Sequence, residues 1–289
     1  MSTLRIGVIS FVNTLPLTRG LERAHSPEVE LVYASPSALA DRLRYGELDA
    51  GLIPAVEFFR GVGTGVVPGL CIGSRGPVES IRLVSKKPLA ELDAVLVDQA
   101  SRTSVAMLRL LLDRVHRVNP DFFSFRPDPA RPFLGPDGIE APAALLIGDA
   151  AMELNPQDAA LDVDLGAWWQ SSFHRPFVYA LWVTRAAPGT PDFERLAALL
   201  SASAERGQRE LPLICEEVAE ARRWTETRVH EYLTRCIHYQ LDDKALQGLA
   251  LFRELCIESY LCPDRREAAQ CLAALRGEPV RASGSGLGA

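Results

Sequence analysis

The chain has 289 residues, enough for two domains that each bury a core. Hydrophobic residues make up 47% of the sequence and charged residues 24%, a globular composition that excludes a disordered or fibrous chain. The longest stretch without a charged residue, Gly61 to Ser74, is too short and too rich in glycine for a transmembrane helix.

The formal net charge of −6 argues against a nucleic-acid-binding surface, which needs clustered lysine and arginine. An anionic small molecule is not excluded, because it needs only a local group of hydrogen-bond donors. The six cysteines show no C-x-x-C spacing, so we expect reduced core residues. Met1 to Ser10 lacks the features of a secretion signal. Together these features predict a cytoplasmic protein that binds neither nucleic acid nor membrane.

Short apolar and β-branched runs alternate with amphipathic stretches through the first two thirds of the chain, the pattern of an α/β fold. We predict strands at residues 4–10, 29–34, 48–53, 66–71, 81–85, 94–98, 144–147 and 177–183. We predict helices at residues 17–24, 36–46, 55–59 and 105–115. From Asp192 to about Leu275 the pattern indicates only helices, with starts at Asp192, Thr225 and Asp242.

The strand-led pattern restarts after Lys86-Lys87-Pro88, which predicts two α/β lobes. Residues 1–88 and 186–289 are assigned to the first lobe and residues 89–185 to the second. Two crossings of the chain between the lobes then form a hinge. Ligands of open α/β sheets bind beyond the carboxyl ends of the strands, so we expect a ligand in the central cleft.

The strongest local signal is Ser101-Arg102-Thr103-Ser104, which opens a helix directly after a strand. Free backbone N–H groups, three hydroxyls, the helix dipole and one guanidinium can converge there on a carboxylate or a phosphate. The alternative interpretation is that Ser101 only caps the helix and that Arg102 faces solvent.

Other polar residues at strand ends have two interpretations each. Asn13 can hold a ligand hydroxyl or carboxylate, but asparagine also favours turns. Ser80 precedes a strand, where a serine is also common at an exposed sheet edge. Asp149, after Gly148 at the end of another strand, either caps the next helix or orients a group in a site.

Motifs that bind cofactors or metals are missing from the sequence. There is no P-loop, no H-E-x-x-H motif and no G-x-S-x-G motif followed by a helix. Gly61, Gly63 and Gly65 lack the strand and helix context of a dinucleotide site. His230 and His238 are not spaced as an i, i+4 metal pair. We therefore expect no cofactor and no metal.

Six segments together carry a family resemblance over roughly residues 4–260. They are SFVNTLP at 10–16, GELDAGLIP at 46–54, GPVESI at 76–81, SRTS at 101–104, LIGDA at 146–150 and PFVYALW at 176–182. In these segments the chain resembles the chorismate dehydratases of the futalosine route to menaquinone. The sister naphthoate synthase of that route opens with a Pro-Asn-Asp loop, which residues 10–16 lack.

The resemblance implies a type II periplasmic-binding-protein-like fold without export. It further implies a carbon–oxygen lyase of the hydro-lyase type, which converts chorismate to 3-(1-carboxyvinyloxy)benzoate and water. Asn13 and Ser80 match the family's active-site positions, and we predict that they are catalytic. The assignment of Ser101 to Ser104, Gly148 and Asp149 to substrate binding rests more on the anion argument. Two alternatives stay open: a solute-binding protein of the same fold, and the sister synthase or another enzyme acting on a larger futalosine-derived substrate.

The candidate site contains few groups that can remove a proton. Asp149 and His174 are the candidate bases, whereas Asn13 and Ser80 are poor bases at neutral pH. In chorismate the enolpyruvyl side chain hangs from the ring carbon that loses the proton, so its carboxylate can act intramolecularly. The sequence therefore favours a substrate-assisted elimination.

Overall fold

The computed structural model describes residues 3–24, 27–126, 128–135 and 138–278, which form two β-sheets with helices packed on them. The strands are β1 Leu4–Val8, β2 Val29–Tyr33, β3 Ala50–Pro54, β4 Gly65–Ser74, β5 Ile81–Ser85, β6 Ala94–Asp98, β7 Asp121–Phe125, β8 Ala143–Ile147, β9 Leu161–Asp164, β10 Phe177–Thr184 and β11 His238–Leu241. The helices are α1 Leu15–Ala24, α2 Pro36–Arg44, α3 Ala55–Phe59, α4 Thr103–Leu111, α5 Gly148–Met152, α6 Leu165–Phe173, α7 Pro191–Arg209, α8 Leu211–Arg222, α9 Glu226–Glu231, α10 Asp243–Glu258 and α11 Arg266–Leu275.

Several helices begin where the sequence predicts them, because a side-chain oxygen accepts a hydrogen bond from the first turn. The Ser35 Oγ accepts from the Ala38 N–H at 3.3 Å at the start of α2. Thr225 and Asp242 cap α9 and α10 in the same way. These starts depend only on residues within three positions of each other, which explains why the local sequence predicts them correctly.

The two sheets have mixed strand orders and form two lobes. The first sheet is ordered β11-β4-β10-β3-β1-β2, with β1 parallel to both neighbours and β10 antiparallel to both. The second is ordered β7-β6-β8-β5-β9, with β5 antiparallel to β8 and β9. The chain passes between the sheets before β5, at residues 75–80, and before β10, through α6 and residues 174–176. The predicted α/β class and the two crossings are confirmed.

Two strands lie in the lobe opposite to the predicted one, so the boundaries at residues 88 and 185 are wrong for them. β5 pairs along its whole length with β8 of the second sheet. β10 pairs with β3 and β4 of the first sheet. The Lys86-Lys87-Pro88 turn lies inside the second lobe, where the Lys86 N–H donates to the Pro142 carbonyl at 2.8 Å. A turn signal marks the end of a strand but does not reveal which sheet the strand joins.

The predicted all-helical region from Asp192 to Leu275 is interrupted by β11. This four-residue strand pairs antiparallel with β4 at the edge of the first sheet. It follows a π-helical turn, Tyr232–Cys236, that continues α9. The short strand forms because it completes the sheet edge, a tertiary effect that its own sequence does not carry.

Helices α1 and α7 approach each other closely at two glycines. A Cβ atom on Gly207 would lie 2.1 Å from the Pro16 carbonyl oxygen, and one on Gly20 would lie 2.3 Å from the Ser203 Cα. The Ser203 Oγ donates to the Leu17 carbonyl at 2.7 Å and accepts from the Leu21 N–H at 3.0 Å. This contact holds α1, which directly follows the turn that carries Asn13.

We expect the Gly207→Ala substitution to lower the free energy of unfolding by about 1–3 kcal/mol, the cost of forcing extra atoms into a packed interior. The added methyl must push the backbone at Pro16 away from α7. Urea unfolding followed by circular dichroism measures the change. The exposed Gln208 on the same helix is the control, and its substitution by alanine should change stability by less than about 0.5 kcal/mol. Equal stability of the Gly207→Ala variant and the unaltered protein would contradict the close contact.

Candidate functional site

A cavity lies between the lobes and is lined by residues from both sheets. Its walls are mostly apolar, with a few polar side chains. Of the predicted site residues, Asn13, Ser80, Gly148 and all four residues from Ser101 to Ser104 line this cavity. The other lining residues are Ile9, Phe11, Thr14, Pro36, Pro54, Ile72, Ile81, Ala100, Ile147, Tyr179 and Ala180.

Asn13 lies in a short 3-10 turn, Val12–Thr14, between β1 and α1. The Thr14 hydroxyl donates to the carbonyls of Ile9 and Phe11, at 2.6 and 2.8 Å. The Val12 N–H donates to the Asp149 carboxylate of the other lobe at 3.2 Å. The turn is therefore held on both sides, and the Asn13 side chain is left at the cavity wall.

Ser80 ends the first crossing between the lobes. The Asp164 carboxylate accepts from the Val78 N–H at 3.0 Å and from the Glu79 N–H at 2.7 Å, which holds the crossing against the start of α6. Glu79 has φ 61°, a left-handed conformation that non-glycine residues seldom adopt. The strained residue turns the chain immediately before Ser80, which is 1% exposed and lines the cavity.

Helix α4 begins at Thr103 with no side-chain cap, so its first N–H groups are free of capping side chains. The predicted alternative, a cap by Ser101, does not occur: the Ser101 Oγ is buried and has no hydrogen-bond partner among the described residues. The Thr103 hydroxyl accepts from the Val56 N–H of the first lobe at 3.3 Å. Ser104 is buried at the cavity wall. The helix end thus offers backbone and hydroxyl donors to an anion.

Arg102 is paired with carboxylates of the first lobe. Its guanidinium donates to both Asp41 oxygens, at 2.9 and 2.7 Å, and lies 3.3 Å from a Glu57 oxygen. The hydrogen bonds from Arg102 hold the pKa of Asp41 below its usual value. The sequence alternatives were a substrate ligand or a solvated side chain; in this conformation Arg102 joins the two lobes instead.

Gly148 and Asp149 follow β8, but only Gly148 reaches the cavity. Gly148 has φ 61°, and a Cβ atom there would meet the Phe11 ring at 3.0 Å. The Asp149 carboxylate points away, because it accepts from the Val12 N–H and pairs with Arg222 of α8. Burial raises the pKa of Asp149, and these two partners oppose the rise. Asp149 is therefore not among the lining residues, and its assignment to substrate binding stays a prediction.

The structure adds two tyrosines that the sequence analysis did not select. Tyr179 of β10 lines the cavity, and its hydroxyl lies 2.9 Å from the Ser74 Oγ. Tyr232, in the π-helical turn, is 1% exposed and lies beside Ser80 and Asn13. Burial raises the pKa of both phenols above the usual value. Tyr179 belongs to a segment that carries the family resemblance, whereas no local pattern distinguishes Tyr232.

The cavity offers few groups that titrate near neutral pH. Among the described residues that line it, Arg102 and Tyr179 are the titratable ones. His174, the other candidate base, is exposed at the end of α6 and lines a separate surface groove. The described residues contain no cluster of three or more histidine, cysteine or acidic side chains placed to hold a metal. None of the described helices is long and apolar enough to cross a membrane.

Comparisons with known proteins agree with this geometry. The family model described as menaquinone biosynthesis matches residues 4–258. The chorismate dehydratase of Thermus thermophilus is 27% identical over 263 residues, which cover 86% of this chain and 93% of that protein.

Solved structures confirm the predicted binding-protein-like fold. An Archaeoglobus fulgidus protein superposes with a TM-score of 0.70 at 16% identity, over 90% of this chain and 98% of that one. The periplasmic aliphatic sulphonate binding protein of Escherichia coli superposes with a TM-score of 0.59 at 15% identity, over 96% and 100%.

We expect the Glu57→Gln substitution to destabilise the protein by roughly 3 kcal/mol, the low end of the cost of breaking a buried ion pair. Glu57 is 2% exposed and pairs with three arginines, which retain part of their surface in water. Denaturant unfolding at neutral pH measures the effect. Glu231 pairs with Arg235 at the surface, so Glu231→Gln is the control and should cost under about 1 kcal/mol. A loss for Glu57→Gln no larger than that of the control would show that the buried carboxylate contributes little.

Proposed function

Because the chain belongs to the menaquinone biosynthesis family, we propose that it is an enzyme that removes water from chorismate. The reaction gives 3-(1-carboxyvinyloxy)benzoate, which makes the protein a hydro-lyase. The observation that carries the proposal is the mostly apolar cavity between the lobes, where Asn13 and Ser80 lie with the uncapped start of α4. The likeness to the Thermus thermophilus chorismate dehydratase supports the choice of substrate.

In this proposal the start of α4 binds a carboxylate of the substrate. The first N–H groups of the helix, together with the hydroxyls of Ser101 and Ser104, supply donors and a positive dipole end. Arg102 adds positive charge at the same position, although Asp41 and Glu57 neutralise it. Gly148 leaves space for the Phe11 ring, which closes the cavity beside the substrate.

The substrate itself supplies the base. The enolpyruvyl carboxylate takes the proton from the ring carbon to which the enolpyruvyl side chain is attached. The electron pair of that C–H bond moves into the ring toward the ring carboxylate. The neighbouring C–O bond then breaks, and the leaving hydroxide takes the proton from the enolpyruvyl carboxyl group to form water. Asn13 and Ser80 hold this side chain over the ring, which converts a weak base into an effective one by proximity. The scarcity of titratable groups in the cavity supports this route.

We place the enzyme in the cytoplasm. All six cysteines are free thiols in the described chain, which is the usual state of cysteines in a reducing compartment.

Purified protein should convert chorismate, without added metal or nucleotide, into a benzenoid product with the mass of chorismate minus water. Absorbance and mass spectrometry detect the product, and EDTA should leave the rate unchanged. Tight binding of chorismate without turnover would instead indicate a solute-binding protein. Turnover of a larger futalosine-derived compound, with chorismate inert, would assign the chain to another step. A requirement for nicotinamide or metal would overturn the proposed chemistry.

The roles of Asn13, Ser80 and Asp149 are separable by mutation. Asn13→Ala and Ser80→Ala should each lower kcat by roughly 10²-fold, the effect of a misplaced reacting group, with little change in melting temperature. Asp149→Asn should keep substantial activity, because the new amide oxygen can still accept from the Val12 N–H. A folded Asp149→Asn variant that binds chorismate but has lost all turnover would make Asp149 the base and exclude the substrate-assisted route.

A further inference from the structure

A buried phenol lies beside the two residues proposed to act on the substrate. Tyr232 is 1% exposed, and its hydroxyl oxygen is buried without a hydrogen bond of good geometry to any described residue. Its nearest polar neighbours include the Ser80 and Asn13 side chains. A buried hydroxyl without a partner costs stability, so such groups are uncommon unless they serve another purpose.

The local structure holds Tyr232 at this place. It is the first residue of the π-helical turn, whose end is closed by a hydrogen bond from the Ile237 N–H to the Tyr232 carbonyl at 3.1 Å. One turn along, the Cys236 Sγ lies 3.4 Å from a Glu79 carboxylate oxygen. Glu79 is the strained residue directly before Ser80. The π-helical turn therefore contacts the first crossing at two places, Tyr232 with Ser80 and Cys236 with Glu79. Turns of this kind are frequent at functional sites.

The chemistry of the phenol suits a donor. Burial raises the pKa of Tyr232, so the group keeps its proton at neutral pH and above. A neutral phenol can donate one hydrogen bond, either to the Ser80 Oγ or to the Asn13 Oδ1. The Ser80 hydroxyl donates to the Val78 carbonyl at 3.3 Å, so a hydrogen bond from the phenol would fix the Ser80 oxygen in place. A hydrogen bond from the phenol to the Asn13 Oδ1 would leave the Asn13 N–H groups to face the cavity.

We infer that Tyr232 is a positioning residue, whose hydroxyl orients the Asn13 and Ser80 side chains toward the substrate. The inference deepens the proposed function and rests on the roles given there to Asn13 and Ser80. Tyr232 does not itself line the cavity, so it acts through these two residues. A purely structural role would require only the ring, which phenylalanine supplies equally well.

Tyr232→Phe removes the hydroxyl and keeps the ring. We expect kcat for chorismate to fall about three- to tenfold, the rate factor of one hydrogen bond, with KM unchanged within twofold. Tyr239→Phe is the matched control, because its hydroxyl is also buried and unpartnered but its neighbours are Tyr232 and Cys215 rather than Ser80 and Asn13. In a Ser80→Ala, Asn13→Ala background, Tyr232→Phe should have no further effect. Unchanged kcat in Tyr232→Phe, or an undiminished effect in that background, would overturn the inference.

A second measurement does not depend on turnover. The side-chain amide signal of Asn13 in a ¹⁵N–¹H spectrum, identified by its loss in Asn13→Ala, should shift in Tyr232→Phe and stay in place in Tyr239→Phe. An unmoved Asn13 signal in Tyr232→Phe would contradict the positioning role. If the signal moves and chorismate is not converted, the positioning role holds and the proposed reaction fails. The two proposals are therefore distinguishable.

Discussion

Glu57 lies in α3 with 2% of its side chain exposed, and three arginines converge on its carboxylate. Arg44 comes from α2 and Arg60 from the end of α3, while Arg102 comes from the other lobe at the start of α4. A buried carboxylate is tolerated only when its charge is matched, so these three elements must stay together. The closed cleft depends on this cluster, because it joins the lobes at the helix end that faces the cavity.

The same cluster also contacts the C-terminal part of the chain. Arg60 donates two hydrogen bonds to the Leu261 carbonyl, both at 3.0 Å. Asp149 of the second lobe accepts from the Val12 N–H and pairs with Arg222 of α8, both in the first lobe. Two sets of charged contacts thus join the lobes. These charged contacts hold the two lobes together, while the walls of the cavity remain mostly apolar.

The mostly apolar walls of the cavity affect the proposed elimination. An apolar enclosure excludes water and strengthens the few hydrogen bonds made inside it. Asn13, Ser80 and the start of α4 can then orient a dianion without placing a protein carboxylate next to it, where like charges would repel. A substrate that carries its own base needs orientation more than acid–base groups. A cavity lined from both lobes can supply that orientation.

Features that depend only on neighbouring residues can be predicted from the sequence. The strand–helix alternation, the helix starts at Ser35, Thr225 and Asp242, and the donor-rich segment Ser101 to Ser104 are all local. The family resemblance then directed attention to Asn13 and Ser80, which lie at the same cavity.

Which groups meet across the chain depends on how the two lobes pack. Strand pairing depends on partners far away in sequence, so the lobes of β5 and β10 and the existence of β11 were not predictable from local patterns. Arg102 meets Asp41 at a separation of 61 residues, and Asp149 meets Val12 at 137. Tyr232 reaches Ser80 only because the π-helical turn packs on the first crossing. A residue type specifies what a side chain can bind, whereas packing of the two lobes decides what lies within its reach.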